Sequence, residues 1–196
     1  MSGRVISGSA KGRKLKLVPG DTTRPIMDRV KEALFSILSR DTLDSTVLDL
    51  FAGTGAVGIE ALSRGAAHCT FVDLAPAAIK TIRDNLAVTG LADRATVLKA
   101  NAFDILKKTP TPVDLLYIAP PQYKSLWLDI LKALDDAPGW LADDGILIVQ
   151  IDPTEQAAVA LKHFAPYDER RYGSTLLWFF QHTSSDAQEA REESPS

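Results

Sequence analysis

The spacing of apolar and polar residues changes along the chain, and these changes predict its secondary-structure elements. Short polar–apolar alternations around four glycines fill the first 20 residues and predict strands joined by turns, a hairpin-like N-terminal extension. After Pro25, apolar residues recur every three or four positions as far as Leu38, which predicts one amphipathic helix. Arg29 and Lys31 are expected to lie off its apolar stripe.

From Val47 onward, short apolar runs alternate with amphipathic segments. The runs predict strands over residues 47–51, 69–73, 95–99, 113–118 and 146–151. Helices are predicted over residues 56–64, 76–88, 103–107, 126–134 and 155–163. Continuous apolar strands that alternate with helices indicate a parallel sheet covered on both faces. We therefore predict a doubly wound α/β fold.

The pattern changes again after Tyr167. Residues 169–172 and 175–180 are predicted strands around Gly173 and Ser174, whose turn chemistry indicates an antiparallel hairpin. Such a hairpin completes a mostly parallel, seven-stranded, Rossmann-like sheet, which is typical of class I methyltransferases and atypical of nicotinamide dehydrogenases. We expect a basic extension over residues 1–22, one domain over 23–182, and a disordered acidic tail over 183–196.

Composition limits the class of protein. A chain of 196 residues with 45% hydrophobic content fits one domain, and no run approaches the roughly 18 apolar residues of a membrane span. The first residues lack the apolar core of a secretory signal. Cys69 is the single cysteine, and the three histidines form no metal-ligand pattern. We expect a cytoplasmic protein with neither a metal nor a membrane partner.

The net charge of −3 conceals an asymmetry. Residues 1–40 contain nine basic and three acidic side chains, a net +6, which leaves −9 for the remainder. A basic arm on an acidic body suits an enzyme that binds a polyanion, because Lys and Arg neutralise phosphates. A solvated charged face is the other interpretation.

The segment from Asp49 to Gly58 places three glycines where the first predicted strand turns into a helix, the usual nucleotide crevice of this fold. The spacing alone also fits a dinucleotide fingerprint. Asp49, however, would face the ammonium and sulfonium of S-adenosyl-L-methionine and would repel a pyrophosphate. Asp73 ends the second predicted strand, where an acid accepts both ribose hydroxyls, or alternatively caps the following helix. Asn101 follows the third strand, near the adenine edge, and is alternatively an ordinary Asn turn.

Two prolines close the fourth predicted strand beside this crevice. Paired prolines stiffen a loop, and Pro121 has no N–H, so the Pro120 carbonyl is a rigid acceptor for a base amino group. Taken alone, such a turn is more often structural.

These motifs, with Thr23-Arg24-Pro25 and the block from Asp28 to Phe35, resemble the RsmD-type family of bacterial methyltransferases. The resemblance runs from Arg4 to about Phe180 and includes the glycine segment as far as Gly65. That family modifies a guanine N2 amino group in small-subunit ribosomal RNA. The resemblance implies S-adenosyl-L-methionine as cofactor, and ribosomal RNA or a small-subunit assembly particle as partner. We expect the protein to be a monomer.

The resemblance and the motifs together predict three sets of residues. Cofactor contacts are expected from Thr23, Arg24, Asp49, Phe51, Ala52, Gly53, Thr54, Gly55, Asp73, Leu74, Asn101, Ala102 and Ala119. Catalytic residues are expected at Pro120, Pro121, Gln122 and Tyr123, and RNA contacts at Arg4, Lys11, Arg13, Lys14, Arg24 and Arg29.

One departure from the family affects the catalytic set. The family's loop is Asp-Pro-Pro followed by Tyr or Phe, whereas here Ala119 replaces the acid, Gln122 replaces the aromatic, and Tyr123 comes one place later. We expect the Pro120 carbonyl to hold the target amine and Tyr123 to stack on the base, with Gln122 supplying part of the missing acceptor.

Other functions are compatible with parts of this pattern. Other methyltransferases of the same fold act on adenine N6 in DNA or on small molecules. A non-catalytic protein that binds S-adenosyl-L-methionine and RNA would also tolerate alanine at position 119. A nicotinamide-dependent oxidoreductase is disfavoured by Asp49, by the Pro-Pro loop and by the terminal hairpin. Trp127 either stacks on the base or, as we favour, packs in the core.

Overall fold

The computed structural model describes residues 3–20, 26–121 and 125–183. Its helices are α1 (Asp28–Leu38), α2 (Ala56–Ser63), α3 (Pro76–Thr89), α4 (Ala102–Leu106) and α5 (Leu126–Asp135). Its strands are β1 (Thr46–Leu50), β2 (His68–Asp73), β3 (Ala95–Lys99), β4 (Val113–Ile118), β5 (Leu141–Ile151), β6 (Phe164–Tyr172) and β7 (Thr175–His182).

All seven strands form one sheet in the order β3-β2-β1-β4-β5-β7-β6. Strands β1 to β5 are parallel to one another, and β7 runs antiparallel between β5 and β6. The predicted doubly wound, mostly parallel, seven-stranded sheet is therefore confirmed. The direction of winding reverses between β1 and β4, so a binding crevice is expected at the carboxyl ends of these two strands.

Each face of the sheet has its own apolar core, which explains why the strands read as continuous apolar runs. One face packs against α1, α2 and α3, with Leu34, Ile59 and Phe71 at its centre. The other packs against α4 and α5, and there Trp127 is 2% exposed, with its ring centroid 6.0 Å from that of Trp178. Trp127 is thus a core residue. Among the described residues, none of the helices has the length and apolar character that crossing a membrane requires.

The helix predicted over residues 155–163 is wrong. A single 3₁₀ turn at Pro153–Glu155 is followed by irregular chain as far as His163. Most apolar residues of this stretch are alanines, which offer too little surface to hold a short helix against the core. Instead, the carboxylate of Asp135 accepts hydrogen bonds from the backbone N–H groups of Lys162 and His163, both at 2.8 Å.

The N-terminal extension folds back on itself, as predicted, but forms one antiparallel bridge, between Arg4 and Lys14, rather than two paired strands. Its backbone groups bond to the body of the protein. The N–H of Ser9 donates to the carbonyl of Ser63 at 2.8 Å, and the N–H of Ala10 donates to the Ser63 hydroxyl at 2.9 Å. A Cβ on Gly8 would lie 1.7 Å from the Ser63 carbonyl oxygen, so this close approach requires glycine. The predicted tail lies outside the described residues beyond Thr183.

Lys31 does not lie off the apolar stripe of α1, and that expectation is wrong. Its side chain is 1% exposed, and its ammonium donates to the carbonyl of Arg4 at 2.6 Å and lies 3.6 Å from Oε2 of Glu60. Glu60 is fully buried and accepts hydrogen bonds from the N–H groups of Ile6 and Ser7. Burial lowers the pKa of Lys31, and the charge of Glu60 opposes that shift. A buried ion pair therefore fastens the extension to α1 and α2.

Removal of Glu60 tests this attachment. Glu60→Ala leaves the buried Lys31 ammonium with the more distant carboxylate of Asp28, at 3.9 Å, as its ionic partner. We therefore expect a loss of about 3–5 kcal/mol in the free energy of unfolding, measured by urea denaturation. Limited proteolysis should then cut within residues 3–16. Glu32→Ala, at an exposed position of α1, is the control and should change stability by less than about 0.5 kcal/mol. An unchanged denaturation midpoint in Glu60→Ala would contradict the attachment.

Candidate active site

The turn between β1 and α2 opens towards the expected crevice. Phe51 and Gly53 both adopt a positive φ, 64° and 55°. For a non-glycine residue such as Phe51 this conformation costs about 1–2 kcal/mol, and strain of this kind concentrates at functional sites. A Cβ on Gly53 would have no atom within 4 Å, so the backbone here borders open space. A ligand can therefore approach the main chain closely at Gly53.

Gly58 serves a different purpose in the same segment. A Cβ at this position would lie 2.4 Å from Cε1 of Phe71 and 2.5 Å from Sγ of Cys69. The absence of a side chain allows α2 to lie directly on β2. The glycine pattern therefore combines an open approach at Gly53 with close helix–sheet packing at Gly58.

Asp73 fixes the glycine turn from the end of β2. Its Oδ2 accepts a hydrogen bond from the N–H of Gly53 at 2.8 Å, and its Oδ1 accepts one from the N–H of Ala75 at 2.9 Å. The second bond stabilises the turn that leads into α3. It resembles the helix cap that the sequence suggested for Asp73, although Ala75 is the N-cap residue. A carboxylate offers about four lone-pair sites, so acceptance of ribose hydroxyls stays compatible with both bonds. Leu74, 62% exposed, adds apolar surface beside it.

Asp49 is a buried carboxylate at the carboxyl end of β1. It is 1% exposed, and its Oδ2 accepts a hydrogen bond from the N–H of Gly58 at 3.2 Å. Its pKa is raised to about 7, mainly because burial disfavours the charged form; the bond from Gly58 opposes the shift, and the charge of Asp73 adds to it. Within the described part of the chain, no cation lies within ion-pair distance of this carboxylate. A positively charged ligand in the crevice would supply the missing compensation.

Asn85 was not predicted, and it joins the site to the N-terminal extension. Its amide nitrogen donates to the carbonyl of Thr54 at 2.9 Å and to that of Lys16 at 3.1 Å. Its amide oxygen accepts from the N–H of Lys16 at 2.8 Å. The side chain is completely buried on α3, three residues after Ile82. A polar residue on the apolar stripe of a helix is the sequence signal that would have identified it.

The loop after β4 lies beside β1 and forms the other wall of the crevice. Pro120 is buried, whereas Ala119 and Pro121 are half-buried. No donor among the described residues reaches the Pro120 carbonyl, which therefore keeps its capacity to accept. Four of the predicted residues, Gln122 and Tyr123 with Thr23 and Arg24, lie outside the described residues.

Asn101, at the end of β3, accepts a hydrogen bond from the N–H of Phe103 at 2.9 Å and caps α4. The structure therefore shows Asn101 in a local Asn turn. Its contact with an adenine ring stays a prediction. The parallel sheet brings Asn101, Asp73, Asp49 and Pro120 to the same edge, because each follows or ends a strand there.

The predicted RNA contacts that the structure describes belong to the N-terminal extension and to α1. Lys11, Arg13 and Lys14 are exposed, and none pairs with a carboxylate of the described residues. Lys11 directly follows Ala10, whose N–H donates to the hydroxyl of Ser63 at the C-terminal end of α2. Arg4 is exposed and lies 3.5 Å from Asp28, and the exposed Arg29 lies beside the β6–β7 turn.

The raised pKa of Asp49 has a measurable effect on stability. Because the folded-state value of about 7 lies above the ordinary 3.8, the folded protein holds this proton more tightly. The free energy of unfolding should therefore fall as pH rises from about 4 to about 7. Asp49→Asn, which can still accept from Gly58, should remove this loss and be more stable than the parent at pH 8, by up to roughly 4 kcal/mol.

Thermal unfolding at pH 4, 6 and 8 without any ligand measures the difference. The exposed Asp93→Asn is the matched control, for which we expect less than about 0.5 kcal/mol at each pH. A parent and an Asp49→Asn variant with the same pH profile would show that Asp49 is ionised in the folded protein without penalty.

Known proteins are similar to this chain in sequence and in architecture. The family model described as Conserved hypothetical protein 95 matches residues 3–181. Ribosomal RNA small subunit methyltransferase D of Escherichia coli is 33% identical over 187 residues, which cover 95% of this chain and 93% of that protein. The solved structure of the Escherichia coli protein yhhF, also 33% identical, superimposes with a TM-score of 0.82 and covers 93% of this chain and 98% of that one.

A more distant solved structure shares the fold alone. It is the RNA methyltransferase from Salinibacter ruber in complex with S-adenosyl-L-homocysteine, 14% identical, with a TM-score of 0.63, covering 83% of this chain and 95% of that one. The family model spans almost the whole described chain, and the motifs that indicated the RsmD-type family lie within it. The chain belongs to the Conserved hypothetical protein 95 family, the RsmD-type family of methyltransferases.

Proposed function

We propose that this chain transfers a methyl group from S-adenosyl-L-methionine to the N2 amino group of a guanine in small-subunit ribosomal RNA. The observation that carries the proposal is the buried carboxylate of Asp49 at the crevice, beside the open backbone of Gly53. An uncompensated carboxylate favours a cationic ligand and disfavours the pyrophosphate of a dinucleotide. A ribosomal substrate would place the protein in the cytoplasm, and we propose a monomer as the acting unit.

The crevice residues match the parts of this cofactor. Asp49 would face its ammonium and sulfonium, and Gly53 would allow close approach of the main chain. Asp73 would accept the ribose hydroxyls through its remaining lone pairs, with Leu74 as apolar surface for the adenine. When bound, the cofactor supplies an electrophilic methyl group on a positively charged sulfur.

The target amine must be held in line with that methyl group. A guanine exocyclic amine is a weak nucleophile because its lone pair is delocalised into the ring, so orientation contributes much of the rate. In-line positioning is worth up to roughly 7–11 kcal/mol in favourable intramolecular reactions. The rigid carbonyl of Pro120 would accept one N–H of the amine, and Tyr123 would stack on the base. A closed pocket of this kind needs an unpaired or flipped nucleotide.

Transfer of labelled methyl groups tests the proposal. The protein is incubated with labelled S-adenosyl-L-methionine and small ribosomal subunits from cells that lack the native modification, and the digested RNA is analysed as nucleosides. We expect N2-methylguanosine. Label in N6-methyladenosine would replace the proposed substrate with the adenine alternative, and cofactor binding without transfer to any RNA would favour a non-catalytic binding protein.

The exposed basic residues of the extension give a second prediction. Replacement of Lys11, Arg13 and Lys14 together by serine removes three phosphate contacts. RNA affinity should weaken, and the slope of log K against log salt should become shallower by about 2, at roughly 0.7 per contact for single strands. Fluorescence anisotropy with labelled RNA from 50 to 200 mM salt measures both.

The control variant replaces Lys107 and Lys108, two exposed lysines after α4, in the same way. Its RNA affinity and salt slope should equal those of the parent, and both variants should bind S-adenosyl-L-methionine normally. Equal effects of the two variants on RNA binding would show that general charge, rather than the extension, is responsible.

A further inference from the structure

Ala119 lacks the acidic side chain that the family places at the target-base loop, and the neighbouring strand carries an amide beside it. Ile118 of β4 pairs with Val149 of β5 in parallel register. One residue further along each chain, Ala119 lies next to Gln150. Both are half-buried at the crevice edge of the sheet.

The two side chains project from the same face. Ala119 packs against the core on the α1 and α2 side, and Tyr117, two residues earlier on the same strand, belongs to that core. Gln150 pairs with Leu177 of β7, a residue of the same core. Asp49 also lies on this face, opposite Tyr117 in the β1–β4 register. Gln150 therefore belongs to the side of the sheet on which the proposed donor site lies.

A hydrogen bond holds the amide in place. The hydroxyl of Tyr117 donates to Oε1 of Gln150 at 2.5 Å, and Tyr117 is 4% exposed. Burial and the nearby charge of Asp49 raise the pKa of the Tyr117 hydroxyl well above its usual range, so this group stays a donor. An amide oxygen accepts two hydrogen bonds, and among the described residues Tyr117 is the one side-chain donor to that of Gln150.

We propose that Gln150 supplies the hydrogen-bond acceptor that this chain lacks at position 119. Its amide oxygen accepts a hydrogen bond from an N–H of the target guanine amine. This assignment rests on the proposed function of the site. Alanine has a smaller side chain than the family's acidic residue, and the longer side chain of Gln150 projects beside it from the neighbouring strand. Gln150 is then a catalytic residue that contacts the substrate, and Tyr117 is a positioning residue that orients its amide.

The chemistry suits a neutral acceptor. The guanine nitrogen forms a bond to the methyl carbon while the sulfur–methyl bond breaks, and that bonding pair stays on sulfur. The positive charge on nitrogen disappears when one N–H proton leaves to water. Gln150 orients the amine and does not take the proton, because an amide oxygen is a hydrogen-bond acceptor and only a very weak base.

A double-mutant cycle between positions 119 and 150 tests the assignment. Gln150→Ala should lower kcat roughly 10- to 100-fold, the effect of one hydrogen bond that matters in the transition state. Donor affinity by calorimetry and KM for RNA should change less than about threefold. In an Ala119→Asp background, which restores the family's acceptor, the same Gln150→Ala change should cost at most about twofold in kcat.

Two further variants separate a chemical role from a structural one. Gln150→Glu keeps an acceptor and should retain most activity, whereas Gln150→Leu keeps the volume without the acceptor and should behave as Gln150→Ala. Tyr117→Phe should lower kcat by a smaller factor, roughly threefold to tenfold. Gln181→Ala, an exposed glutamine of β7, is the control and should match the parent. Thermal unfolding of every variant confirms that it folds.

The failure of this assignment differs from that of the proposed function. An active parent whose Gln150→Leu variant keeps the parental kcat would overturn the role of Gln150 alone. Losses in kcat that simply multiply in the Ala119→Asp/Gln150→Ala protein would do the same. A parent that binds the donor but methylates no RNA would overturn the proposed function, and this assignment with it.

Discussion

The burial of the Asp49 carboxylate constrains the whole centre of the molecule. Removing a charge from water is costly unless it is compensated, and the described residues supply this carboxylate with one N–H donor, from Gly58. That donor is in reach because α2 lies directly on β2, which requires glycine at position 58 against Phe71 and Cys69. Asp73 fixes the turn between β1 and α2 by accepting a hydrogen bond from the N–H of Gly53. The same contacts therefore form the donor site and pack α2 on the sheet.

The same helix carries the N-terminal extension at its other end. Glu60 and Ser63 bind the backbone of the extension, and Asn85 binds both the extension and the carbonyl of Thr54. The basic residues are consequently displayed on a docked segment at a set distance from the crevice. RNA held by Lys11 or Arg13 would be positioned relative to the proposed target pocket, as an enzyme acting on a folded particle requires.

Local patterns predicted the sheet well, because both of its faces are buried and each parallel strand is a continuous apolar run. They failed where the outcome depends on distant partners. The sequence pattern predicts Lys31 as a surface residue of an amphipathic helix, but it is buried against Glu60 and the carbonyl of Arg4, which are distant in sequence. The stretch after Glu155 has helical composition, but Asp135 binds its backbone in another conformation.

The candidate site shows the same limit. Asp49, Gly53 and Asp73 follow from strand ends and glycine spacing, which are local signals. Gln150 depends on the register between β4 and β5, and nothing in the sequence around either strand reveals that it lies beside Ala119. The relation between Ala119 and Gln150 can be recognised only when the pairing of their two strands is known.

The central claim is that a cationic donor bound in the crevice compensates the charge of the buried Asp49 carboxylate. Isothermal titration of S-adenosyl-L-methionine into the parent and into Asp49→Asn, at pH 7 in buffers of different ionisation enthalpy, tests it directly. The account predicts proton release on binding by the parent, since the cation lowers the pKa of Asp49, and an Asp49→Asn affinity at least about tenfold weaker without that release. Equal affinities with no proton release by either protein would contradict it.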